Sequence, residues 1–408
     1  MHSIPDPSRV RFAGPLTRYA PTLAEELAAL GYTRSSATAK LQLAAHLSRW
    51  LEAAGMSLGE LTRESIGQFL EERLRSHASG CSAQALAPVL GLLRRLGAVP
   101  EAAPAEVSAG PADVLLGQFG RYLAGRRALT APVVRAYIRW ARPFAEEVLC
   151  AGGADRAGEV SAAGVARFLA TRLPAMSRKQ AQMTACAVRS LLRFLHAEAM
   201  VPADLTGLVP PVASWRLSGL PRALSSDKVV TLLAACDTSR PAGRRDFAMI
   251  TLMCRLGLRC AEVVGLELDD VDWSGGALTV RRKAGRTDRM PVSADAGQAL
   301  AGYLANGRPA AGTRALFVRA KAPFTALRPS SVSCVVARTA QRAGLGIVHG
   351  HRLRHTAAAA TLNAGATLEE VAQLLRHEGI ATTVIYAKTD RARLAQLARP
   401  WPADGARR

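Results

Sequence analysis

The sequence predicts a mainly α-helical chain in which two N-terminal helical units precede a C-terminal domain of mixed α+β type. Apolar residues recur at three- and four-residue spacing through the first half of the chain, as in amphipathic helices. Short segments with strand-like alternation occur only after Pro221. A chain of 408 residues is also too long for one ordinary core, so we expect two or three domains.

The composition is that of a strongly basic chain that can still bury sizeable cores. Lys and Arg number 53 against 32 Asp and Glu, which gives a formal net charge of +21, and hydrophobic residues make up 49%. Such an excess of positive charge favours a polyanionic partner, and nucleic acid is the first candidate. A ribosome-associated protein, or one that is merely basic, is the alternative at this point.

The sequence also restricts the compartment. No apolar run reaches the roughly 18 residues that a membrane span needs, and the first residues lack the basic and apolar regions of a signal peptide. The seven cysteines are scattered without a Cys-x-x-Cys pair, which argues against a disulfide framework and a zinc site. We therefore expect a chain without membrane contact in the reducing cytoplasm.

Two Pro-rich stretches divide the chain, and both are predicted to be linkers. The first covers 98–111, and the second covers 201–221 and is expected to be extended. The predicted boundaries follow from them. They give a helical unit with its linker at 1–110, a second helical unit with its linker at 111–215, and a C-terminal domain at 216–408.

The two helical units resemble each other at a constant offset. Residues 61–74 match 160–173, and residues 92–96 match 191–195, both with a shift of 99 positions. Each unit is predicted to contain about four amphipathic helices. Two matches at one offset indicate a duplication, and the alternative is that helical heptads mimic a repeat.

The C-terminal domain is predicted to hold helices around one β-hairpin. Alternating segments at 278–280 and 289–292 flank a turn at Ala284–Gly285, and an acidic run at 269–272 is expected in a short loop. The predicted helices begin at Ser226, follow Pro241, and span 357–363 and 368–375.

Three kinds of catalytic or ligand-binding motif known from other proteins are not supported by this sequence. His196 and Glu198 have the His-x-Glu spacing of zinc deaminases, but no Pro-Cys-x-x-Cys follows. The acids at 269–272 have the oxygen ligands that Mg²⁺ takes, but acids are also common in turns. No Gly-x-x-x-x-Gly-Lys phosphate loop occurs, so ATP-driven work is not expected.

His-x-x-Arg is informative only in its context. In so Arg-rich a chain at least one such pair is expected by chance, and three occur, at 46/49, 349/352 and 351/354. The last pair precedes the predicted helix 357–363. The next predicted helix ends in Arg376-His377, and Tyr386 follows nine residues after His377.

With an upstream arginine and a lysine at the hairpin tip, this ordered set resembles the tyrosine recombinase, or phage integrase, family. The family order is Arg, hairpin Lys, His-x-x-Arg, His or Trp, then Tyr. It is met over about 224–397 by Arg259, Lys283, His351, Arg354, His377 and Tyr386. The family's turn usually reads Gly-Lys-Gly, whereas this chain has Arg282-Lys283-Ala284, so Lys283 has the alternative role of one phosphate-contacting cation among several.

The residue types suit attack on a phosphodiester. Two arginines can bind the two non-bridging oxygens and remain charged. A tyrosine hydroxyl titrates near ~10 and needs a base or a positive field, and His351 is a candidate to accept its proton or to bind the phosphate. Lys283 is the predicted proton donor to the leaving 5′ oxygen, and His377 adds a hydrogen bond. The chemistry requires neither metal nor other cofactor.

Taken one at a time, several of these residues also have a purely structural explanation. Arg259 alone would be expected to pair with Glu262 on the surface, and Tyr303 on an amphipathic helix is expected in the core. His355 is expected to have a positioning or structural role. Only the joint pattern distinguishes Tyr386 from the five other tyrosines.

The resemblance implies more than the residues do. It implies a catalytic domain behind helical, SAM-like DNA-binding units, with 112–205 as a core-binding domain that closes a clamp on double-stranded DNA. It also implies a homotetramer on two duplexes, and a tail at 390–408 that docks on a neighbour; a helper protein is unknown. The length favours a mobile-element integrase or transposase. The rival classes are a type IB topoisomerase and a non-catalytic DNA-binding regulator.

Overall fold

The computed structural model describes residues 9–76, 83–100, 110–149, 160–212, 223–282 and 285–377, together with Thr383 and Tyr386. The chain divides into two compact units, one of residues 102–218 and one that joins residues 1–101 to 219–408. Buried apolar side chains form three large cores, within 16–99, 112–209 and 224–353. The mainly helical class predicted from the sequence is confirmed.

The first helical region is a set of four α-helices around a core of leucines. Thr33 begins the longest of them, because its hydroxyl accepts a hydrogen bond from the Ser36 backbone N–H at 3.3 Å. Leu23, Leu41 and Leu93 are among the fully buried side chains. The helices are α1 (Ala20–Ala29), α2 (Arg34–Ala53), α3 (Arg63–Ser76) and α4 (Ala83–Arg95).

The second helical region repeats this arrangement with an aromatic core. Phe119 and Phe194 pack with ring centroids 5.7 Å apart, and Phe144 meets Phe168 edge-on at 5.1 Å. A capping box at Ser177 starts its longest helix. The helices are α5 (Pro111–Gly125), α6 (Ala131–Phe144), which continues as a π-helical turn at Ala145–Leu149, α7 (Ala162–Arg172) and α8 (Arg178–Ala197).

The offset of 99 positions predicted from the sequence matches one pair of helix starts, whereas α4 and α8 begin 95 positions apart. α3 begins at residue 63 and α7 at residue 162, and 162 − 63 = 99.

The prediction of an extended second linker is wrong for its first part. Residues 201–212 pack on the second core, with Val201 and Val209 buried, and the Arg189 guanidinium donates to the Val209 carbonyl at 2.8 Å. Burial of its valines outweighs the extended preference of its prolines. Residues 213–222 and 101–109 lie outside the described residues.

The C-terminal region surrounds one long, buried helix. Pro241 starts α10 (Pro241–Leu256), which packs against α12, α13 and α14, and its Met249, Ile250 and Leu252 are fully buried. The other helices are α9 (Ser226–Ala234), α11 (Cys260–Val264), α12 (Ala294–Asn306), α13 (Pro329–Arg342), α14 (Gly350–Asn363) and α15 (Leu368–Leu374).

A small antiparallel sheet has the strand order β1-β2-β3, with β1 at Val271–Asp272, β2 at Ala277–Arg281 and β3 at Thr287–Pro291. The predicted hairpin is therefore present, with Leu278 opposite Met290. The prediction of a loop at 269–272 is wrong in part, because Val271 and Asp272 pair with β2. The neighbouring acids bind arginines: Asp270 accepts from Arg281 at 2.7 Å.

The helix predicted over 357–363 begins seven residues earlier, at Gly350. The predicted start was too late because histidines and arginines interrupt the apolar pattern at 351–355, although both residue types are compatible with a helix. His351 and Arg354 are therefore helical residues whose side chains α14 holds at fixed spacing.

The first helical region also contacts the C-terminal region within their shared unit. Gly31 has a left-handed φ of +79°, and a Cβ atom there would overlap the Phe324 ring, so only glycine fits this approach. Among the described residues, no helix is long and apolar enough to cross a membrane. No His, Cys, Asp or Glu cluster in the same residues could hold a metal ion.

Candidate active site

Arg259 stands where the chain turns sharply between two helices. α10 ends at Gly257, whose φ of +59° is a conformation that glycine adopts without steric cost. Arg259 then has an extended backbone and begins α11. Its guanidinium donates to Glu262 at 2.7 Å, and its backbone N–H donates to the same carboxylate at 2.9 Å. The side chain remains 45% exposed, so one face is open to a ligand.

Glu262 also binds a second, fully buried arginine. Arg376 donates to this carboxylate at 2.8 Å and to the carbonyl oxygens of Leu374 at 2.8 Å and Gly257 at 3.3 Å. Burial by itself would raise the pKa of Glu262, but the charges of Arg376 and Arg259 and the hydrogen bonds from Arg259 lower it. The carboxylate is therefore ionised and joins both arginines into one network.

Arg354 lies on the first turns of α14, is 1% exposed, and has its Nη1 4.0 Å from a carboxylate oxygen of Glu262. Its Nη1 donates to the Gly257 carbonyl at 2.6 Å, and its Nη2 donates to the Leu375 carbonyl. Burial, and then the charge of Arg259, lower the pKa of Arg354 to about 10, so the group stays cationic at neutral pH. A guanidinium has five N–H groups, so three remain for other acceptors.

Two histidines of α14, His351 and His355, lie next to the candidate nucleophile Tyr386. His351 is exposed, and its ring meets His355 edge-on, with centroids 4.5 Å apart. His355 Nδ1 lies 2.7 Å from the Tyr386 hydroxyl, and Tyr386 is 2% exposed. Burial raises the pKa of Tyr386, and the charges of Arg354 and Arg259 act in the opposite direction. The charges of both arginines of the predicted set therefore act on the tyrosine hydroxyl.

His377 completes the group. Its Nδ1 lies 2.7 Å from the Thr383 hydroxyl. Burial, followed by the charges of Arg354 and Arg259, lowers the pKa of His377 to about 4, so its ring is neutral at physiological pH. The same causes lower the pKa of His351.

Five of the six predicted site residues thus share one electrostatic environment: Arg259, His351, Arg354, His377 and Tyr386. Lys283 lies outside the described residues. The hairpin that carries it is anchored beside the site, because the Arg282 guanidinium donates to the Arg376 carbonyl at 2.9 Å.

Comparison with known proteins decides the family. Residues 222–393 match the model of the phage integrase family. A putative integrase/recombinase, y4rA, of Sinorhizobium fredii is 36% identical over 399 residues, which cover 96% of each chain. The chain belongs to the phage integrase family. It is also 33% identical to the tyrosine recombinase XerD of Mycobacterium tuberculosis, over 65% of this chain and 89% of that protein.

Solved structures of this family share the fold. The XerH site-specific recombinase in a post-cleavage complex matches with a TM-score of 0.56 and 18% identity, over 85% of this chain and 99% of that one. The lambda integrase tetramer on a Holliday junction matches with a TM-score of 0.54 and 15% identity, over 81% and 92%. Members of the phage integrase family cleave and rejoin DNA, and this chain is an enzyme of that class.

Reasoning from sequence missed two members of the site. Arg376 appeared only as the neighbour of His377, and His355 was expected to have a positioning or structural role. The sequence did contain a hint that Arg376 belongs to the site, because this charged residue directly follows the apolar pair Leu374–Leu375. Its positive φ of 53° and its burial depend on tertiary contacts and could not be inferred.

In chemical terms, the site combines a positive field with a buried hydroxyl. Arg259 is exposed and has N–H donors available to a ligand, and Arg354 adds a second, buried positive charge. Glu262 neutralises part of this charge and fixes the position of Arg259. Such a preorganised arrangement stabilises negative charge that develops on phosphate oxygens without reorganising at the moment of reaction.

Proposed function

We propose that this protein is a site-specific DNA recombinase of a mobile element, acting in the cytoplasm, which cleaves DNA by attack of Tyr386 on a phosphodiester. The bond formed is a 3′-phosphotyrosine, and it keeps the energy needed for religation without ATP. The observation that carries the proposal is the buried Tyr386 hydroxyl under the charges of Arg259 and Arg354. Those charges are the kind that favour a phenolate and a phosphorane.

The proposal gives each of the other residues of the set a role. Arg259 binds a non-bridging phosphate oxygen through its exposed face, and Arg354 adds charge and its remaining N–H donors. His377 donates a hydrogen bond to the phosphate. Lys283 on the hairpin protonates the 5′ oxygen as it leaves. In this proposal neither a metal nor another cofactor takes part.

The helical regions serve DNA binding in this proposal. Residues 111–215 form the core-binding domain, and residues 1–110 form an additional helical unit of the same kind. Arg135, Arg139, Arg178 and Lys179 lie on α6 and α8, where positive side chains suit contacts with the phosphate backbone. The similarity to the putative integrase/recombinase y4rA extends over 96% of the chain, so it includes the additional unit. The active assembly is a homotetramer on two duplexes.

The test is covalent capture on a nicked DNA substrate. The wild-type protein is expected to form an SDS-resistant adduct, and sequencing of the attached end should show a 3′ linkage. Tyr386→Phe removes only the hydroxyl, so DNA binding in gel shifts should persist while the adduct disappears.

Tyr303→Phe is the matched control, because Tyr303 is also buried but its hydroxyl accepts a hydrogen bond from the Val318 backbone N–H, so the change should leave capture intact. An adduct with Tyr386→Phe would contradict the proposal. Relaxation of supercoiled plasmid without recombination between two sites would instead identify a topoisomerase.

A further inference from the structure

His355 was assigned no chemistry by its place in the sequence, yet it holds the reacting atom of the candidate nucleophile. Its Nδ1 lies 2.7 Å from the Tyr386 hydroxyl, within the range of a strong O–H···N hydrogen bond. The two rings are tilted by 58° with centroids 5.4 Å apart, so the contact is made through the ring edge. In the tautomer whose Nδ1 carries no proton, this nitrogen accepts the hydrogen bond of the Tyr386 hydroxyl.

His351 occupies a different place. It lies one helical turn before His355 on α14, it is exposed, and it packs edge-on against His355. The charges of Arg354 and Arg259 both act on its ring. The two histidines therefore differ in surroundings: His355 is half-buried and contacts Tyr386, whereas His351 is exposed.

The surroundings of His355 keep its ring uncharged. Burial is the largest cause, and the charges of His351 and Arg354 add to it, which lowers the pKa of His355 to about 4. A neutral ring has one nitrogen free to accept a proton, whereas a cationic ring has none. A phosphodiester bound by Arg259 would bring negative charge to the site and so favour protonation of this ring during the reaction.

We propose that His355 is a catalytic residue that accepts the proton of the Tyr386 hydroxyl, which leaves His351 free to bind the phosphate. As the Tyr386 oxygen forms its bond to phosphorus, its O–H bond breaks and an N–H bond forms at His355 Nδ1. The bond from phosphorus to the 5′ oxygen breaks, and that oxygen takes its proton from a separate donor. The inference rests on the proposed role of Tyr386.

The experiment measures single-turnover cleavage of saturating nicked DNA by His355→Gln, which keeps a polar side chain but not a base. We expect the rate to fall about 10²-fold or more, the range for losing a general base. Replacing Tyr386 with 3,5-difluorotyrosine, whose hydroxyl is more acidic, should then recover at least about tenfold of that loss, because a more acidic nucleophile depends less on a base.

Two matched histidine variants define the outcome. His351→Gln should lose activity that difluorotyrosine does not restore, because a phosphate contact is independent of the acidity of the tyrosine. His349→Gln changes an exposed histidine before the same helix and should cleave at the wild-type rate. Melting temperature and DNA affinity must match the wild type for each variant, and His355→Asn replaces His355→Gln if the latter does not fold.

The inference is overturned if the folded His355 variant cleaves within threefold of the wild type. It is also overturned if difluorotyrosine restores His351→Gln instead, because His351 would then be the base. Either result leaves the proposed function standing, since Tyr386→Phe would still lack the adduct. An adduct with Tyr386→Phe would remove both.

Discussion

Arg259 and Arg354 play equal parts in the sequence pattern, but they lie in opposite environments. Arg259 is 45% exposed and is tied to Glu262 by an ion pair on one side. Arg354 is 1% exposed and is bonded to the carbonyl oxygens of Gly257 and Leu375. An exposed charge contributes little to folding, whereas a buried charge is costly unless its donors are satisfied. One arginine is therefore available mainly for chemistry, and the other both for chemistry and for holding three segments together.

The largest effect is expected from Arg354→Ala, which should harm folding and catalysis together. The change removes the side-chain donor of the Leu375 carbonyl and the shorter of the two arginine contacts to the Gly257 carbonyl, and it leaves Glu262 with less positive charge around it. We expect a loss of about 3–5 kcal/mol in the free energy of unfolding. Single-turnover cleavage should also slow by about 10²–10³ or more. Denaturant unfolding and cleavage at saturating DNA measure the two effects separately.

Arg354→Lys keeps the charge but cannot span both carbonyls, so it should recover only part of each loss. An Arg354→Ala protein with wild-type stability would show that the carbonyl contacts are dispensable, and the contrast with Arg259 would fail.

A smaller effect is expected from Arg259→Ala, and it should appear only in catalysis. Removing an exposed donor should slow cleavage by about 10²–10³ through loss of one contact to the transition state. The melting temperature should change little. Arg255→Ala is the matched control, because Arg255 has similar exposure on α10 and pairs with Asp295 at 2.7 Å. If Arg255→Ala slows single-turnover cleavage as much, the loss reflects general charge and not the site.

The effect that is smallest at neutral pH concerns buried and exposed histidines, and it is measured as stability against pH. Both His355 and His377 have pKa values lowered to about 4 in the folded protein, against about 6.5 when unfolded. The unfolded chain therefore binds protons first as the pH falls, so stability should be unchanged above about pH 6.5 and should decline between 6.5 and 4.

The double variant His355→Gln/His377→Gln should flatten this decline in urea unfolding at several pH values. His349→Gln, at an exposed position, should keep the wild-type slope. An identical slope in the double variant would mean that other groups cause the acid sensitivity.

The helical repeat and the site differ in how far the sequence predicted them. Amphipathic spacing depends on neighbours along the chain, so the helices were predictable, whereas the offset of 99 positions holds only for the starts of α3 and α7. The hairpin was predictable because its strands alternate and its turn contains Gly285. The start of α14 was not, because polar residues on its first turns are held there by contacts from distant segments. The linker after α8 was mistaken for the same reason, since its valines bury against a core that local sequence does not reveal.

The sequence by itself determined the family, the order of the predicted catalytic residues and the basic character that favours DNA. These follow from residue types and spacings, which the chain carries whatever its folded form. The tertiary structure alone decided that Arg354 is buried and Arg259 open, that Arg376 joins Glu262, and that His355 rather than His351 meets the Tyr386 hydroxyl. The reason is physical: burial and hydrogen-bond partners arise where α10, α11, α14 and the segment after α15 converge. Those segments are separated by as many as 120 positions along the chain, as the hydrogen bond from Arg376 to Leu256 shows.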